Sequence, residues 1–148
     1  MNSNLKFVPM EQSMLDQCVD LFMDTFSREP WNERYDSREQ VVALFERYRA
    51  NNYFLGYAVV EEEKVIALSV GYQKPWIQGM EYAIEQFCVE VKHQGNGVGS
   101  QLLQHIERDI AKKGLNAIIL NTERGFPAER FYRKNGFREL ENFLFLAK

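Results

Sequence analysis

The chain is poor in cysteine and has no excess of positive charge. Its two cysteines, Cys18 and Cys88, fall in a predicted helix and a predicted strand, without the spacing of a metal site or a disulfide framework. We therefore expect two buried, reduced thiols and no bound metal. The formal net charge is −3 and the isoelectric point is near 5.5, whereas general nucleic-acid-binding proteins usually show a basic patch. A nucleic-acid partner is therefore not expected.

Long apolar runs, repeats and low-complexity segments are also absent. No apolar run is long enough to span a bilayer, and the N-terminus does not resemble a signal peptide. The 148 residues suit one domain with a sizeable core. We expect a single domain over residues 1–148, no membrane partner and a cytoplasmic location.

The hydrophobic periodicity predicts the element order β-α-α-β-β-β-α-β-α-β. Ser13 and Ser37 are the predicted N-caps of the first two helices. Two segments that each contain a proline and a tryptophan, residues 28–35 and 73–79, are predicted to be loops. Residues 137–146 are predicted to form the closing strand. This order fits neither a β-sandwich nor a regular doubly wound fold. We predict a mixed α/β (α+β) domain with a central, twisted, mixed sheet of six to seven strands and helices on both faces.

A glycine-rich turn, QGNGVGS over residues 94–100, lies between a predicted strand and an amphipathic helix. Glycines at the alternate positions Gly95, Gly97 and Gly99 leave the turn almost free of bulky side chains. Backbone N–H groups at the start of the helix can then point at an anion, which the helix dipole also favours. The turn predicts a binding site for a phosphate group.

Several phosphate ligands fit such a turn. Gly95, Gly97 and Ser100 nearly match the G-x-G-x-x-G pattern of a dinucleotide site, and Glu123 stands where a ribose-binding acid would follow. However, residues 90–94 are polar and separate the strand from the glycines, and too little chain remains for further βαβ units. A Walker loop is disfavoured because no Gly-Lys-Ser/Thr follows the glycines. The glycines alone leave nucleotide and coenzyme A open.

Two motifs resemble the GNAT superfamily of N-acetyltransferases. Gln94, Gly97 and Gly99 match its cofactor motif Gln/Arg-x-x-Gly-x-Gly/Ala, and residues 128–137, AERFYRKNGF, are similar to its late helix and following strand. The resemblance is close over residues 80–137, and the loops suggest aminoglycoside or other small-amine acetyltransferases. It implies a GNAT-like fold and acetyl-CoA as the cofactor.

The resemblance also implies which residues bind acetyl-CoA. In such enzymes the strand before the turn diverges from its neighbour, and the pantetheine arm pairs with its backbone, here at Phe87, Cys88 and Val89. The turn then holds the pyrophosphate. The predicted residues of the turn are Gln94, Gly95, Asn96, Gly97, Val98, Gly99 and Ser100. The candidates for the 3′-phosphate are Lys92, Arg133 and Lys134.

Acetyl transfer to an amine needs a base, an oxyanion donor and an acid for the leaving thiolate. Glu81 and Glu85 are four positions apart on a predicted strand, so both carboxylates lie on one face, about 13 Å apart. The resemblance favours Glu85 as the base, directly or through water, which leaves Glu81 to hold a cationic acceptor. It assigns the oxyanion to the N–H of Val89 and the acid role to Tyr132.

The chain departs from the family pattern before the late helix, where Gly125 and Phe126 replace a frequent asparagine. Phe126 cannot cap a helix with its side chain, so Asn121 or Thr122 is the candidate substitute.

The acceptor is predicted from the two loops. Aromatic and acidic side chains suit a small cationic amine, and the candidates are Glu29, Trp31, Tyr35 and Trp76. Alternatively, both tryptophans simply cover the core. A protein N-terminus or a lysine is the competing acceptor, and a non-catalytic acyl-CoA-binding module is the competing class. A homodimer is a further expectation, with residues 143–146 either in its interface or in the core.

Overall fold

The computed structural model describes residues 4–148. A 3₁₀ turn over Gln12–Met14 precedes the first α-helix, and another over Val91–His93 follows the fourth strand. In chain order, the strands and α-helices of this part of the chain are β1 Leu5–Pro9, α1 Leu15–Phe26, α2 Arg38–Arg49, β2 Phe54–Glu61, β3 Lys64–Trp76, β4 Gly79–Val89, α3 Val98–Lys112, β5 Ala117–Ile119 and α4 Pro127–Lys134.

The strands form one mixed sheet in the order β1-β2-β3-β4-β5. Consecutive strands from β1 to β4 pair antiparallel, as the alternation of apolar runs and short turns favours. Helix α3 connects β4 to β5, and these two strands pair parallel. The predicted central mixed sheet is confirmed, with five strands among the described residues instead of six to seven.

Helices cover both faces of the sheet, as predicted. Helices α1 and α2 bury their apolar stripes against one face, with Phe22, Phe45, Leu68 and Cys88 in the shared core. Helix α3 packs on the other face, and α4 adds Phe131 at its border. The buried centre of this second core includes Tyr57, Ile66, Tyr82, Ile84, Val98, Leu102 and Ile106.

Both cysteines lie in the core between the sheet and α1. Cys18 and Cys88 are buried and free, and burial raises the pKa of each thiol to about 12. The expectation of buried thiols is confirmed. Within residues 4–148, no group of three or more His, Cys, Asp or Glu side chains could hold a metal ion. None of the described helices combines the length and apolar character needed to cross a membrane.

The first helix begins later than predicted. Ser13 lies inside the 3₁₀ turn, and α1 starts at Leu15 with Met14 at the N-cap position and no side-chain cap. The second cap is confirmed, because the Ser37 hydroxyl accepts the backbone N–H of Gln40 at 3.3 Å.

The predicted loop over residues 73–79 is wrong. Strand β3 continues to Trp76, and β4 begins at Gly79, so only a tight turn joins them. Pro75 interrupted the sequence pattern because proline cannot donate to a sheet. It is tolerated here because β2 pairs with β3 only as far as Tyr72, which leaves the other edge of β3 open at Pro75.

The predicted closing strand is also wrong. Residues 138–148 form no strand in the structure, and the side chains of residues 143–146 are highly exposed. The apolar run at these positions has strand character, but no described strand pairs with it.

Candidate active site

A bulge in β4 sets the geometry of the site. Val70 lies opposite Gln86, and the next residue, Gly71, lies opposite Ile84, so Glu85 is an extra residue in β4. A Cβ on Gly71 would lie 1.9 Å from the carbonyl oxygen of Ala83. Glycine at position 71 therefore permits the close backbone contact beside Glu85. The isolated glycine in a strand pattern was the sequence signal for this bulge.

Strands β4 and β5 diverge next to the bulge. Their pairing runs only from Glu81 and Ala117 to Ala83 and Ile119, whereas β4 continues to Val89. The later part of β4 therefore has an open edge. This is the cleft that the resemblance to the GNAT superfamily implied.

The backbone of β4 presents alternate residues to this cleft. The N–H of Glu90 donates to the Ile66 carbonyl oxygen on β3 at 2.7 Å. Because alternate residues of an antiparallel strand face the same neighbour, Cys88 also faces β3, while Phe87 and Val89 face the cleft. The Cys88 thiol is buried in the α1 core. The cleft therefore receives the polar backbone groups of Phe87 and Val89 but not those of Cys88.

The glycine-rich turn connects the cleft to α3. Gly95 and Gly97 have φ values of +80° and +83°, which strain other residues. The Gln94 side chain donates to the Val89 carbonyl oxygen at 2.9 Å and so joins the turn to the end of β4. Gly97 is the N-cap of α3, and no side chain caps this helix. The first-turn N–H groups thus remain available to an anion.

Gly99 allows α3 to start close to α4. A Cβ at this position would lie 2.9 Å from two ring atoms of Phe131. The side chain of Val98 is buried in the core, while Ser100 is half-buried and Asn96 is exposed at the surface. Two glycines with positive φ and one tightly packed glycine thus shape the backbone between β4 and α3.

Tyr132 on α4 lies against the cleft-facing strand. Its ring is 6.0 Å from Phe87 and 5.3 Å from Phe131, measured between ring centroids. Burial raises the pKa of Tyr132, and Cys88 adds to the increase. Every fully buried side-chain N or O atom described here has a hydrogen-bond partner. Since the Tyr132 hydroxyl makes no hydrogen bond to the described residues, its oxygen is not completely buried.

Glu85 lies on the opposite face of the sheet from Phe87. Its Oε2 accepts a hydrogen bond from the hydroxyl of Tyr72 at 3.0 Å. The pKa of Tyr48 is raised mainly by burial, and the negative charge of Glu85 adds to the increase. Tyr72 is three residues from Ser69, the β3 partner of Phe87, so the two side chains point to opposite faces. Glu85 itself is exposed.

Glu81 has a different environment from Glu85. It is only 7% exposed and lies 3.9 Å from Lys74 Nζ, directly across the β3–β4 pair. Two carboxylates of one face thus differ in access, because Glu81 is buried beside Lys74 and Glu85 is exposed.

The predicted acceptor residues divide into two groups. Trp31 packs edge-on against Phe126, at 6.1 Å between centroids, and so joins the loop after α1 to the start of α4. In the same loop, Glu29 is exposed and Tyr35 donates to Glu33 at 2.7 Å. Trp76 lies elsewhere. It is opposite Gly79, at the far end of β4, about 20 Å along the strand from Glu85.

The indole N–H of Trp76 donates to Asn116 Oδ1 at 3.0 Å. The side chain thereby anchors the end of β3 to the start of β5. Trp76 pairs with Gly79, two residues from Glu81 on the same face of β4, so Glu81 is the predicted acceptor residue that lies near it.

At the start of α4, a side chain other than the family's asparagine bonds to the backbone. Phe126 occupies the N-cap without a side-chain bond, and Glu129 accepts the N–H of Gly125 at 2.7 Å. Asn121 lies just beyond β5 and is exposed. Sequence reasoning missed Glu129, although an acid in a first helical turn is a recognised signal.

The three side chains predicted to bind the 3′-phosphate differ in their ion pairs. Lys92 lies 3.8 Å from Glu90, and Arg133 pairs with Glu129 and Glu139 at 2.9 and 3.3 Å. Lys134 is exposed and has no ion-pair partner within residues 4–148. It is the one of the three that remains available to a phosphate.

A family model matches most of this arrangement. The acetyltransferase (GNAT) family model covers residues 15–137, from α1 to the segment after α4. The chain belongs to this family. The GNAT family consists of acyltransferases that use acetyl-CoA, so the expected family and cofactor are confirmed.

Known proteins agree with the family assignment. The uncharacterised N-acetyltransferase YjcF of Bacillus subtilis (strain 168) is 35% identical over 63 residues, which cover 43% of this chain and 44% of that protein. The chain thus matches less than half of the length of this relative.

Two solved structures show the same fold at low identity. A transcriptional regulator from Bacillus halodurans C-125 has 22% identity and a TM-score of 0.77, covering 97% of this chain and 99% of its own. The enzyme AAC(6′)-Iy, in complex with the bisubstrate analogue CoA-S-monomethyl-acetylneamine, has 17% identity and a TM-score of 0.75, covering 97% of both chains.

Proposed function

We propose that this GNAT domain transfers the acetyl group of acetyl-CoA to a primary amine of a small cationic molecule. The observation that carries the proposal is the break in β4–β5 pairing, which leaves the later part of β4 open, with Tyr132 against Phe87 on one face and Glu85 beside Tyr72 on the other.

Acetyl-CoA is held along the open edge and the turn in this proposal. The backbone groups of Phe87 and Val89 pair with the pantetheine arm, and the first turn of α3 receives the pyrophosphate. The hydroxyl of Ser100 adds a donor, and Lys134 supplies a charge for the 3′-phosphate. Gln94 acts indirectly, because its side chain already bonds to Val89.

The proposed steps of acetyl transfer use Glu85 and Tyr132, which lie on opposite faces of the sheet. Glu85, directly or through water, takes the proton of the attacking ammonium, and the neutral amine forms a C–N bond with the thioester carbon. The N–H of Val89 stabilises the developing oxyanion. The C–S bond then breaks, and the Tyr132 hydroxyl gives its proton to the sulfur. The new amide nitrogen loses its second proton, which returns directly or through solvent to the Tyr132 phenolate.

The buried surroundings of Tyr132 support its role as the acid. A phenol is ordinarily a weaker acid than a thiol, with reference pKa values of about 10 and 8.5. Burial raises the pKa of Tyr132, which keeps the phenol protonated. Burial also raises the pKa of the neighbouring Cys88 thiol to about 12. A leaving thiolate in the same interior would become a stronger base for the same reason, which offsets the weaker acidity that burial gives the phenol.

The acceptor class rests on the charges and aromatic rings of a few side chains. Glu85 offers a negative charge beside Tyr72, and Trp31 with the exposed Glu29 suits a cation that carries apolar surface. Glu81 is a weaker candidate for holding the acceptor because Lys74 is paired with it. The acetylneamine analogue bound to AAC(6′)-Iy favours an amino sugar.

Release of free thiol from acetyl-CoA, measured against a panel of amines, tests this proposal. Amino sugars and polyamines should be turned over faster than peptides with a free N-terminus or lysine. Faster turnover of the peptides would make this a protein acetyltransferase.

One fold relative is described as a transcriptional regulator, which favours a non-catalytic acyl-CoA-binding module as the second candidate. Stabilisation by acetyl-CoA in a melting experiment, without turnover of any amine, would support that module and contradict the enzyme.

A further inference from the structure

His93 ends the 3₁₀ turn that leads into the glycine-rich turn, and both of its ring nitrogens contact carboxylates. Nδ1 lies 2.9 Å from Glu90 Oε1, and Nε2 lies 2.9 Å from Glu61 Oε1. Only 15% of the imidazole side chain is exposed. Because Glu61 is the last residue of β2, His93 joins the segment before the glycine-rich turn to the β2–β3 hairpin.

The two contacts require one proton more than a neutral imidazole carries. A neutral imidazole has one N–H and a lone pair on its other nitrogen, and an ionised carboxylate only accepts hydrogen bonds. Partial burial alone would raise the pKa of Glu90, but its bonds with Lys64 and His93 outweigh burial and lower that pKa. Glu90 is therefore an acceptor, and the extra proton lies between His93 and Glu61. An imidazole is ordinarily more basic than a carboxylate, which assigns the proton to His93.

The lysines near this cluster act on Glu90. Lys64 Nζ, at the start of β3, lies 2.6 Å from Glu90 Oε2, and Lys92 Nζ lies 3.8 Å from Glu90 Oε1. The bond with Glu90 raises the pKa of Lys64, and the charge of Asp24 on α1 adds to the increase. Within residues 4–148, Glu61 has no lysine or arginine at ion-pair distance. Its partner is therefore the imidazole alone.

The glycine-rich turn begins at the residue after His93. The N–H of Gln94 donates to the Val91 carbonyl oxygen at 3.2 Å, which continues the 3₁₀ turn. Residues 94–97 are exposed, and a Cβ on Gly95 would meet no atom within 4 Å. The turn is thus held at one end by the buried Val98 of α3 and at the other by His93.

We propose that protonated His93 is a positioning residue, which holds the glycine-rich turn in its cofactor-binding conformation by pairing with Glu61. The inference rests on the proposed binding of the acetyl-CoA pyrophosphate by this turn. When the ring gives its second proton to solvent, the Nε2 lone pair faces an acceptor and the contact with β2 is lost. The turn then presents its N–H groups in only a fraction of the molecules. The apparent dissociation constant rises by the inverse of that fraction.

Calorimetric titration of acetyl-CoA into the full chain and three variants tests this contact. Glu61→Ala should weaken binding by about tenfold, the contribution of one charge-assisted hydrogen bond. Glu61→Gln should keep the affinity, because the amide can accept from a protonated ring or donate to a neutral one. Glu62→Gln removes one negative charge at the next, exposed position and is the matched control that should bind normally.

The second test follows the affinity from about pH 6 to pH 9, a range that includes the reference pKa of about 6.5 for a free imidazole. The dissociation constant of the unmodified chain is divided by that of Glu61→Gln at each pH, which cancels the titration of the cofactor phosphates. This ratio should rise with pH, because only the amide can donate to a neutral ring. His105, the other histidine of the chain, is common to both proteins and does not affect the ratio.

Three results would overturn the role of His93. They are unweakened binding in Glu61→Ala, an equal loss in Glu62→Gln, and a ratio that stays constant with pH. Each readout is cofactor binding without an acceptor. Absence of amine acetylation would therefore contradict the proposed function and leave the role of His93 standing, whereas unweakened binding in Glu61→Ala would contradict that role alone.

Discussion

Gly71 lies so close to Ala83 that a Cβ on the glycine would be 1.9 Å from the alanine carbonyl oxygen. This contact accompanies the bulge that makes Glu85 the extra residue of β4. The position of the proposed base therefore depends on a glycine in the neighbouring strand.

We expect Gly71→Ala to lower both stability and turnover. The methyl group would push β3 from β4 at the bulge, with a cost of about 2 kcal/mol in unfolding free energy and displacement of Glu85. Urea denaturation measures the first effect and steady-state kinetics the second. Gly56→Ala is the matched control, because the nearest atom to its Cβ, at 2.6 Å, is the movable ring tip of Phe54. Equal losses in the two variants would contradict a special role for the bulge.

Tyr132→Phe should lower kcat by about 10²-fold and change acetyl-CoA binding little. The ring would keep its contacts with Phe87 and Phe131, and only the hydroxyl would be lost. Stopped-flow kinetics and isothermal titration calorimetry measure the two effects. Turnover at the unmodified rate would remove Tyr132 from the mechanism.

Glu85→Gln should move the ascending limb of kcat/KM to higher pH. Without the carboxylate, the acceptor ammonium must lose its proton to bulk water, which happens nearer to the pKa of the free amine. The measurement is a pH–rate profile with saturating acetyl-CoA. Glu46→Gln, at an exposed position of α2, is the control that should leave the profile in place. An unchanged profile for Glu85→Gln would assign the base to Glu81 or to a water molecule.

Gly99→Ala should weaken acetyl-CoA binding by about tenfold. The new methyl group would meet Phe131 at 2.9 Å, so the start of α3 or the aromatic ring must move and the pyrophosphate donors lose their positions. Calorimetry gives the affinity. Ser100→Ala at the next position removes only a hydroxyl and should have a smaller effect. Affinity that stays unchanged in Gly99→Ala would show that the cradle tolerates this shift.

The two thiols should be unreactive in the folded protein. With a pKa of about 12, Cys18 and Cys88 are thiolates at pH 8 only to a fraction of about 10⁻⁴, because burial favours the neutral thiol. A chromogenic disulfide reagent should label neither cysteine before denaturant is added and both afterwards. Rapid labelling of one cysteine in native buffer would place that thiol at a surface.

Residues 94–100 and 128–137 were sufficient to predict the family, and the family match confirms it. The helix over Val98–Lys112 and its packing against the sheet were also predictable, because a 3.6-residue apolar stripe reports local structure directly. The residues assigned to catalysis, Glu85 and Tyr132, remain predictions from this same motif evidence.

Other features were decided only by which segments become neighbours in space. The sequence placed Glu81 and Glu85 on one face, but only the register of β3 revealed that Lys74 is paired with Glu81. The sequence also indicated a strand at residues 143–146, but it could not show that no strand within residues 4–148 pairs with it. Local patterns specify which conformation a segment prefers. Its partner depends on contacts between residues far apart in the chain, and these exist only once the whole chain has folded.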